Sequence, residues 1–262
     1  MLNATLIRHQ TLAPGLGILH VRPDDPLVPF LPGQFMMAGL PDPEDAAAAL
    51  SEQREPRALK RAYSIASAPT GATHVEFFVV LVNGGRLTPM LWELKEGDRL
   101  MLENRGRGHF SLEGLDCTGD TIVMVATGTG LGPFISMVRE YEGRQMIRKV
   151  VLLHGVRTRE ELGYEAELMA LASRNPDFIY LPILSRENLD SDWTGLRGRV
   201  TSLMESARFE QLTGQPLRPE THRVMLCGNP AMIMELSARL EEDGFGVHRK
   251  ASPGRLHYER YW

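Results

Sequence analysis

The sequence predicts a two-domain protein: an N-terminal antiparallel β-barrel followed by an α/β domain built on a parallel sheet. Up to about residue 112, short strand-like segments are divided by Gly and Pro, which is typical of a small barrel. From about residue 119, apolar runs alternate with helical segments, which indicates a parallel sheet with crossover helices. We therefore expect one domain at residues 1–112 and a second at residues 113–262.

Six segments of the first half have the length and composition of strands. They are ATLIRHQTL, LGILHVRP, GQFMMAGL, RAYSIAS, HVEFFVVLV and DRLMLENRG. Their spacing predicts a closed or nearly closed barrel. Residues 41–60 interrupt it with a charged, Ala-rich segment that two prolines open. We expect an exposed loop with a short helix there, and we assign it no role.

The second half repeats a strand and helix pattern. The predicted strands are TIVMVAT, KVVLLHGV, FIYLPILS and HRVMLCGN. The predicted helices are FISMVREYEG, REELGYEAELMALASRNP, VTSLMESARF and PAMIMELSARLEEDG. Ligands of such sheets bind at the carboxyl ends of the strands, so polar groups at those ends are the candidate site.

Composition narrows the class of protein. The chain has 262 residues, 43% hydrophobic and 24% charged, as expected for a globular protein with a full core. A net charge of -4 gives no general attraction to nucleic acid or to anionic membranes. Two cysteines cannot hold a four-cysteine iron–sulfur cluster, and they favour a reducing compartment. Without a signal-peptide pattern or a membrane-length apolar run, we expect a cytoplasmic protein.

Two strand ends carry turns that could meet a ligand. In ATGTGLGPF, residues 126–134, the glycines let the backbone approach an anion at a helix N-terminus, or they only make a tight turn. In LCGNPAM, residues 226–232, Cys227 either faces a ligand or is a small buried hydrophobe.

Basic residues follow the third predicted strand of this half. Ser185, Arg186, Arg197 and Arg199 could bind a 2′-phosphate, because guanidinium groups bind phosphate in a fork, or they could be solvated. The neighbouring Glu187 argues against a 2′-phosphate, since an acidic side chain at this place would instead bind the ribose hydroxyls of a nucleotide without that phosphate. The eight histidines show no metal-site spacing, so no metal is expected.

Two aromatic stretches are unusual. RAYSIASAP, residues 61–69, places a cation, an aromatic ring and hydroxyls in one strand, and alternation puts Ser67 on the face of Arg61 and Tyr63. The final HYERYW has four rings in six residues, which would either pack against the other domain or stack on a flat cofactor.

Together these stretches resemble the ferredoxin–NADP⁺ reductase family, and most closely its bacterial ferredoxin/flavodoxin reductase branch. The resemblance rests on the ordered motifs R-x-Y-S, G-T-G-x-G-P, C-G-N-P and a C-terminal E-x-Y, and it covers nearly the whole chain. It implies a barrel that binds FAD and an α/β domain that binds NADP(H). The implied protein is a monomer.

The resemblance assigns the FAD residues. Arg61 would bind the pyrophosphate, Tyr63 would lie against the isoalloxazine, and Ser64, rather than Ser67, would hydrogen-bond near flavin N5. The remaining implied FAD contacts are Ala62, Val80, Val82, Gly85, Arg86, Leu87 and Thr88.

The resemblance also assigns the NADP(H) residues. Thr127, Gly128, Thr129 and Gly130 would cradle the pyrophosphate and ribose. Arg157, Ser185, Arg186 and Arg199 would bind phosphates, and Met232 would line the adenine end. Cys227 and Gly228 would face the nicotinamide.

The chain ending is implied to cover the flavin. Glu259 and Tyr261 match the E-x-Y motif, with the ring on the flavin face and the carboxylate balancing charge. Trp262 extends beyond the plant-type ending and resembles the bacterial branch, in which the last residue stacks on the FAD adenine.

The implied catalytic residues are Ser64, Cys227, Glu259 and Tyr261. The implied reaction moves electrons between NADPH, as hydride, and a one-electron carrier, ferredoxin or flavodoxin. Two alternatives stay open: a reductase component for a separate haem or oxygenase partner, and a nucleotide-binding subunit without turnover.

Overall fold

The computed structural model describes residues 2–142, 147–249 and 251–260. The chain divides into two compact units. The first contains the residues up to Glu113 together with Gly132–Glu140, and the second contains Gly114–Leu131 and the residues from Tyr141 onward. Within the described residues, no helix has the length and apolar character needed to span a membrane.

The first unit is built on a six-stranded antiparallel sheet. Its strands are β1 (Ala4–Ala13), β2 (Leu16–Pro23), β3 (Phe35–Pro41), β4 (Ala58–Ser64), β5 (Val75–Val80) and β6 (Arg99–Leu102), in the spatial order β4-β3-β6-β1-β2-β5. An antiparallel bridge between Ile65 and Phe77 links the end of β4 to β5, so the two outer strands meet. The predicted N-terminal barrel is confirmed.

Two short helices accompany this sheet. The segment after β3 forms a 3-10 turn, Pro43–Asp45, and helix α1 (Ala46–Ser51), as the sequence predicts for the exposed interruption. Helix α2 (Leu87–Glu93) buries Leu87 and Leu91 against the core of the sheet, which includes Leu6, Met36 and Phe77.

The second unit contains a six-stranded parallel sheet. Its strands are β7 (Thr121–Thr127), β8 (Lys149–Val156), β9 (Phe178–Leu184), β10 (Leu196–Arg197), β11 (His222–Gly228) and β12 (Leu256–Arg260), in the order β10-β9-β8-β7-β11-β12. The predicted parallel α/β sheet is confirmed. The apolar runs of β7 and β11 are buried, as expected for strands covered on both faces.

Helices connect these strands. They are α3 (Gly132–Tyr141), α4 (Glu165–Arg174), α5 (Ser206–Thr213) and α6 (Pro230–Glu242). Two predicted helices begin with 3-10 turns, Arg159–Glu161 before α4 and Val200–Met204 before α5. The edge strands β10 and β12 were not predicted, because a two-residue strand and an aromatic chain end carry no clear strand pattern.

Candidate functional site

The strand order of the second unit creates a crevice beside its central strand. From β7 the chain continues to β8, β9 and β10 on one side of the sheet, while β11 and β12 lie on the other side. The order therefore reverses between β7 and β11. In open α/β sheets, ligands bind outside the carboxyl ends of the strands at such a point. The predicted glycine loop and Cys-Gly turn both lie there.

The two turns of this crevice are packed too closely for side chains. A Cβ on Gly130 would lie 2.6 Å from the carbonyl carbon of Cys227 and 2.6 Å from the Cα of Gly228. Gly228 has φ of +126° and a Cβ there would lie 2.6 Å from the carbonyl oxygen of Thr127. Both positions require glycine, because the backbones touch and Gly228 has a conformation that other residues rarely adopt.

A side chain ties these turns together. The hydroxyl of Thr127 accepts a hydrogen bond of 2.7 Å from the backbone N–H of Asn229. The Asn229 side chain in turn accepts from the N–H of Ala231 at 2.8 Å, which caps α6, and Pro230 occupies its first turn. The predicted helix start at Asn229–Pro230 is confirmed.

The other predicted residues of these turns differ in exposure. Gly128 and Thr129 are half-buried, within the 3-10 turn Gly128–Leu131 that precedes α3. Cys227 is a reduced thiol and is fully buried. Met232 is 5% exposed and packs in the core of the second unit.

The ends of β8 and β9 bring three predicted phosphate residues together. The N–H of Arg186 donates to the carbonyl of Arg157 at 2.8 Å, and the N–H of Ser185 donates to the carbonyl of Val156 at 2.9 Å. The Arg157 side chain pairs with Glu161, with Nε to Oε1 at 2.7 Å, and this pairing raises the pKa of the guanidinium.

Two guanidinium groups in this region are available to a ligand. Arg186 and Arg199 are exposed, and within the described ranges their side chains have no hydrogen-bond or ion-pair partner. Arg197 instead turns into the protein, where it donates to the carbonyl of Trp193 at 2.8 Å and to that of Asn188 at 2.9 Å. The Glu187 carboxylate accepts from the N–H of Arg159 at 2.8 Å.

His154 on β8 was missed by the sequence analysis. Its ring is fully buried, and Nδ1 lies 3.2 Å from the Tyr180 hydroxyl. Burial lowers the pKa of His154 to about 4, which the backbone of Gly128 and the charge of Glu161 oppose only in part. His154 is therefore an uncharged side chain near neutral pH, and it interacts with the backbone of Gly128 at the start of the glycine turn. A lone histidine in an apolar strand gives no sequence signal for this role.

In the first unit, the RAYS segment ends β4. The Tyr63 ring packs 5.8 Å from Phe77, and burial raises the pKa of its phenol to about 12. The Tyr63 hydroxyl is buried without a hydrogen-bond partner among the described residues. Ser64 is buried, whereas Arg61 and Ala62 are exposed, with Arg61 donating to the carbonyl of Lys60 at 2.8 Å.

Ser67 has a structural role instead. Its hydroxyl accepts from the N–H of Glu76 at 3.2 Å, and its carbonyl accepts from the Ser136 hydroxyl at 2.7 Å. The choice of Ser64 over Ser67 stays a prediction, but these bonds occupy the Ser67 side chain.

The second predicted segment of this unit lies between β5 and α2. Val80 is half-buried and Val82 is 50% exposed. The Thr88 hydroxyl accepts from the N–H of Val82 at 3.0 Å, which closes the turn that contains Gly85. Arg86 pairs with Asp42 at 2.7 Å and with Glu44 at 2.6 Å, and Leu87 is buried in the core.

The chain ending is partly described. Glu259 lies on β12, directly opposite Cys227 of β11, and is half-buried. Tyr261 and Trp262, both predicted to cover the flavin, lie outside the described residues. The HYER segment lies within strand β12.

Sequence comparison finds relatives that cover most of the chain. A ferredoxin–NADP reductase of Azotobacter vinelandii is 37% identical over 90% of this chain and 88% of the relative. A ferredoxin–NADP reductase of Pseudomonas aeruginosa is 35% identical over the same shares. A family model described as "Oxidoreductase NAD-binding domain" matches residues 124–237.

The fold gives the same result. A ferredoxin NADP⁺ reductase from Neisseria gonorrhoeae, solved with bound FAD and NADP, matches with a TM-score of 0.85 and 28% identity, over 99% of this chain and 98% of that structure. The barrel and the switch-point crevice define the class as a two-domain oxidoreductase. Within that class, the chain belongs to the ferredoxin–NADP⁺ reductase family.

Proposed function

We propose that this protein is an FAD-dependent reductase that exchanges electrons between NADPH and ferredoxin or flavodoxin. The observation that carries the proposal is the 35% to 37% identity, over 90% of the chain, to two ferredoxin–NADP reductases. Relatives named flavodoxin/ferredoxin–NADP reductase, such as that of Escherichia coli at 31% identity, favour these acceptors over a haem or oxygenase partner.

The first unit fits FAD. The buried Tyr63 hydroxyl has no partner among the described residues, so a bound polar group would satisfy it. In this proposal Arg61 and Arg86 bind the pyrophosphate, and Tyr63 lies against the ring system. The exposed Val82 also supports the proposal, because an apolar side chain at this position suits a flat apolar ligand.

The second unit fits NADP(H). Gly130 and Gly228 leave backbone rather than side chains facing the crevice, and the N–H groups of the Gly128–Leu131 turn would donate to a pyrophosphate. Arg186 and Arg199, whose side chains lack partners among the described residues, would bind the 2′-phosphate together with Ser185. Arg157 would also bind a phosphate, and its ion pair with Glu161 would hold the guanidinium in place.

When bound, FAD supplies the ability to accept a hydride and to release electrons singly. The proposed task of the protein is to bind FAD and NADPH and to orient their reacting rings. The proposed role of Ser64 is to hold a hydrogen bond at flavin N5, and that of Cys227 is to orient the nicotinamide. Glu259 would balance charge near the reacting atoms, Tyr261 would cover the flavin face, and Trp262 would stack on the adenine.

The assignment of whole domains follows from these roles. We propose that residues 1–112 bind FAD and residues 113–262 bind NADP(H). We also propose that the protein acts as a monomer in the cytoplasm, with ferredoxin or flavodoxin as a separate partner. In the 41–60 segment, Asp42 and Glu44 would hold the Arg86 side chain in place through their ion pairs.

The acceptor can be tested by double mixing under anaerobic conditions. NADPH first reduces the purified holoprotein, which is then mixed with a ferredoxin or a flavodoxin, while absorbance of both partners is followed. The proposal predicts rapid reoxidation by at least one carrier and slow reoxidation by cytochrome b5 as a matched one-electron control. Equal rates with all three acceptors would contradict it.

A further inference from the structure

Three metal-ligating side chains meet on the first unit, and none of them is among the residues proposed to bind FAD. They are His20 on β2, His74 just before β5, and Glu76 on β5, all half-buried. Their ligand atoms lie within 4.8 Å of one another, and no other such group of three occurs within the described residues. We propose that this cluster binds a divalent transition-metal cation, with Zn²⁺ as the best match.

The two imidazoles already have the spacing that zinc requires. His20 Nδ1 lies 3.3 Å from His74 Nε2. Two nitrogens that each lie about 2.0–2.1 Å from a tetrahedral Zn²⁺ are separated by roughly 3.3–3.4 Å. The distance between these two nitrogens therefore matches that of two imidazoles bound to one Zn²⁺.

The backbone fixes the third ligand. His20 is directly opposite Glu76 in the antiparallel pairing of β2 with β5. His74 lies in the bend just before β5, two residues ahead of Glu76. One oxygen of the Glu76 carboxylate lies within 4.8 Å of a ring nitrogen of each histidine. Two imidazoles and a carboxylate form a set that zinc binds with one position left for water.

Neighbouring groups orient these ligands. The Thr73 hydroxyl lies 3.4 Å from His74 Nδ1, the ring nitrogen that faces away from His20. Arg139 donates to Glu76 Oε2 at 3.0 Å. Such contacts fix the ring and carboxylate orientations that metal ligands need.

The proposed site lies across the pairing of β2 with β5. The cation would join β2 to β5, two strands whose ligands lie 54 residues apart in the chain, which is why spacing along the sequence gives no sign of the site.

The alternative is that His20 and His74 share a hydrogen bond and bind no metal. Titration with Zn²⁺ and the EPR spectrum of the Cu²⁺-loaded protein distinguish this alternative from a metal site. Tag-free holoprotein is stripped with chelator and titrated with ZnCl₂ by calorimetry. We expect one site per chain, weakened roughly 100-fold or more in His74→Gln and in His20→Gln, since loss of a ligand costs at least as much as loss of an orienting group. His109→Gln, at an exposed histidine of the same unit, is the control and should bind as the parent does.

A spectroscopic measurement keeps the proposal testable if a variant folds poorly. The EPR spectrum of the Cu²⁺-loaded parent should show nitrogen hyperfine coupling from two imidazoles, and one of them should be lost in His74→Gln. Absence of a one-to-one Zn²⁺ site in the parent would overturn the proposal. Equal weakening in the His109→Gln control, or a copper spectrum without imidazole coupling, would overturn it as well.

Discussion

The hydroxyl of Thr127, at the end of β7, accepts a 2.7 Å hydrogen bond from the backbone N–H of Asn229, which opens α6. One side chain thus joins the two turns on either side of the switch point. Because the same turns contain the close approach of Gly130 to Cys227, the crevice is held by backbone packing and by this hydrogen bond together.

Thr127→Val tests that hydrogen bond. The substitution keeps the shape of the side chain but removes the acceptor of the exposed Asn229 N–H, at a cost of about 0.5–1.5 kcal/mol. We expect a higher Kd for NADPH and a lower midpoint of urea unfolding. Thr194→Val, at an exposed threonine of the same unit, should change neither value. Parent-like NADPH binding in Thr127→Val would show that the link does not shape the site.

Gly130→Ala tests the close approach of the two turns. The added Cβ would meet Cys227 and Gly228 backbone atoms at 2.6 Å, so the turns must separate. We expect destabilisation of about 1–3 kcal/mol, as for other overpacked sites, and weaker NADPH binding. In Gly132→Ala the new Cβ would lie 3.7 Å from the carbonyl oxygen of Ser64, an ordinary contact distance, so stability should hold or rise. Equal effects of the two substitutions in unfolding and binding assays would contradict the account.

Ser64→Ala tests the proposed group at flavin N5. Loss of a hydrogen bond that acts on the reacting atoms should slow the single-turnover reduction of the holoprotein by NADPH roughly 100-fold. NADPH binding should change little. Ser67→Ala is the matched control, because that hydroxyl bonds the backbone of Glu76 and should affect stability rather than hydride transfer. Equal reduction rates in Ser64→Ala and the parent would remove the proposed role.

Arg186→Ala tests the choice between NADPH and NADH. A hydrogen bond to a charged group contributes about 1.5–3 kcal/mol, so kcat/KM for NADPH should fall roughly 10- to 100-fold while the value for NADH stays constant. Arg174→Ala removes an exposed arginine that pairs with Glu142 and should leave the preference intact. An unchanged ratio of the two kcat/KM values in Arg186→Ala would contradict a 2′-phosphate site at this arginine.

His154 makes stability depend on pH. Burial lowers its pKa from 6.5 to about 4, so between these values the unfolded state binds more protons than the folded state. The contribution of His154 to the free energy of unfolding is fully present above pH 6.5. It is lost as the pH falls toward 4, by roughly 3 kcal/mol in total. Buried His257, with a pKa lowered to about 3, acts in the same direction. Urea unfolding at pH 7.5 and pH 5 should show a smaller loss in His154→Gln than in the parent; equal losses would contradict this.

Much of this architecture follows from local patterns in the sequence. The apolar runs within β7 and β11 and the Asn229–Pro230 cap are encoded within a few residues, so the parallel sheet and the start of α6 are predictable. The same holds for the strands of the barrel, which Gly and Pro separate.

Features that depend on distant residues were not predictable. Strand β12 pairs with the edge of β11, far away in the chain, and the lowered pKa of His154 depends on burial in the assembled sheet. The inward turn of Arg197 and the meeting of His20 with His74 likewise require the complete fold. The sequence therefore indicates the chemistry at the strand ends better than it indicates which arginines remain available.

The central claim is that the chain binds FAD and that NADPH reduces it. The most direct measurement is the flavin content of the purified protein, followed by its absorbance near 450 nm on anaerobic addition of NADPH. We predict one FAD per chain and rapid bleaching by NADPH, faster than by NADH. A protein that neither carries nor takes up FAD, or whose flavin absorbance NADPH leaves unchanged, would contradict the account.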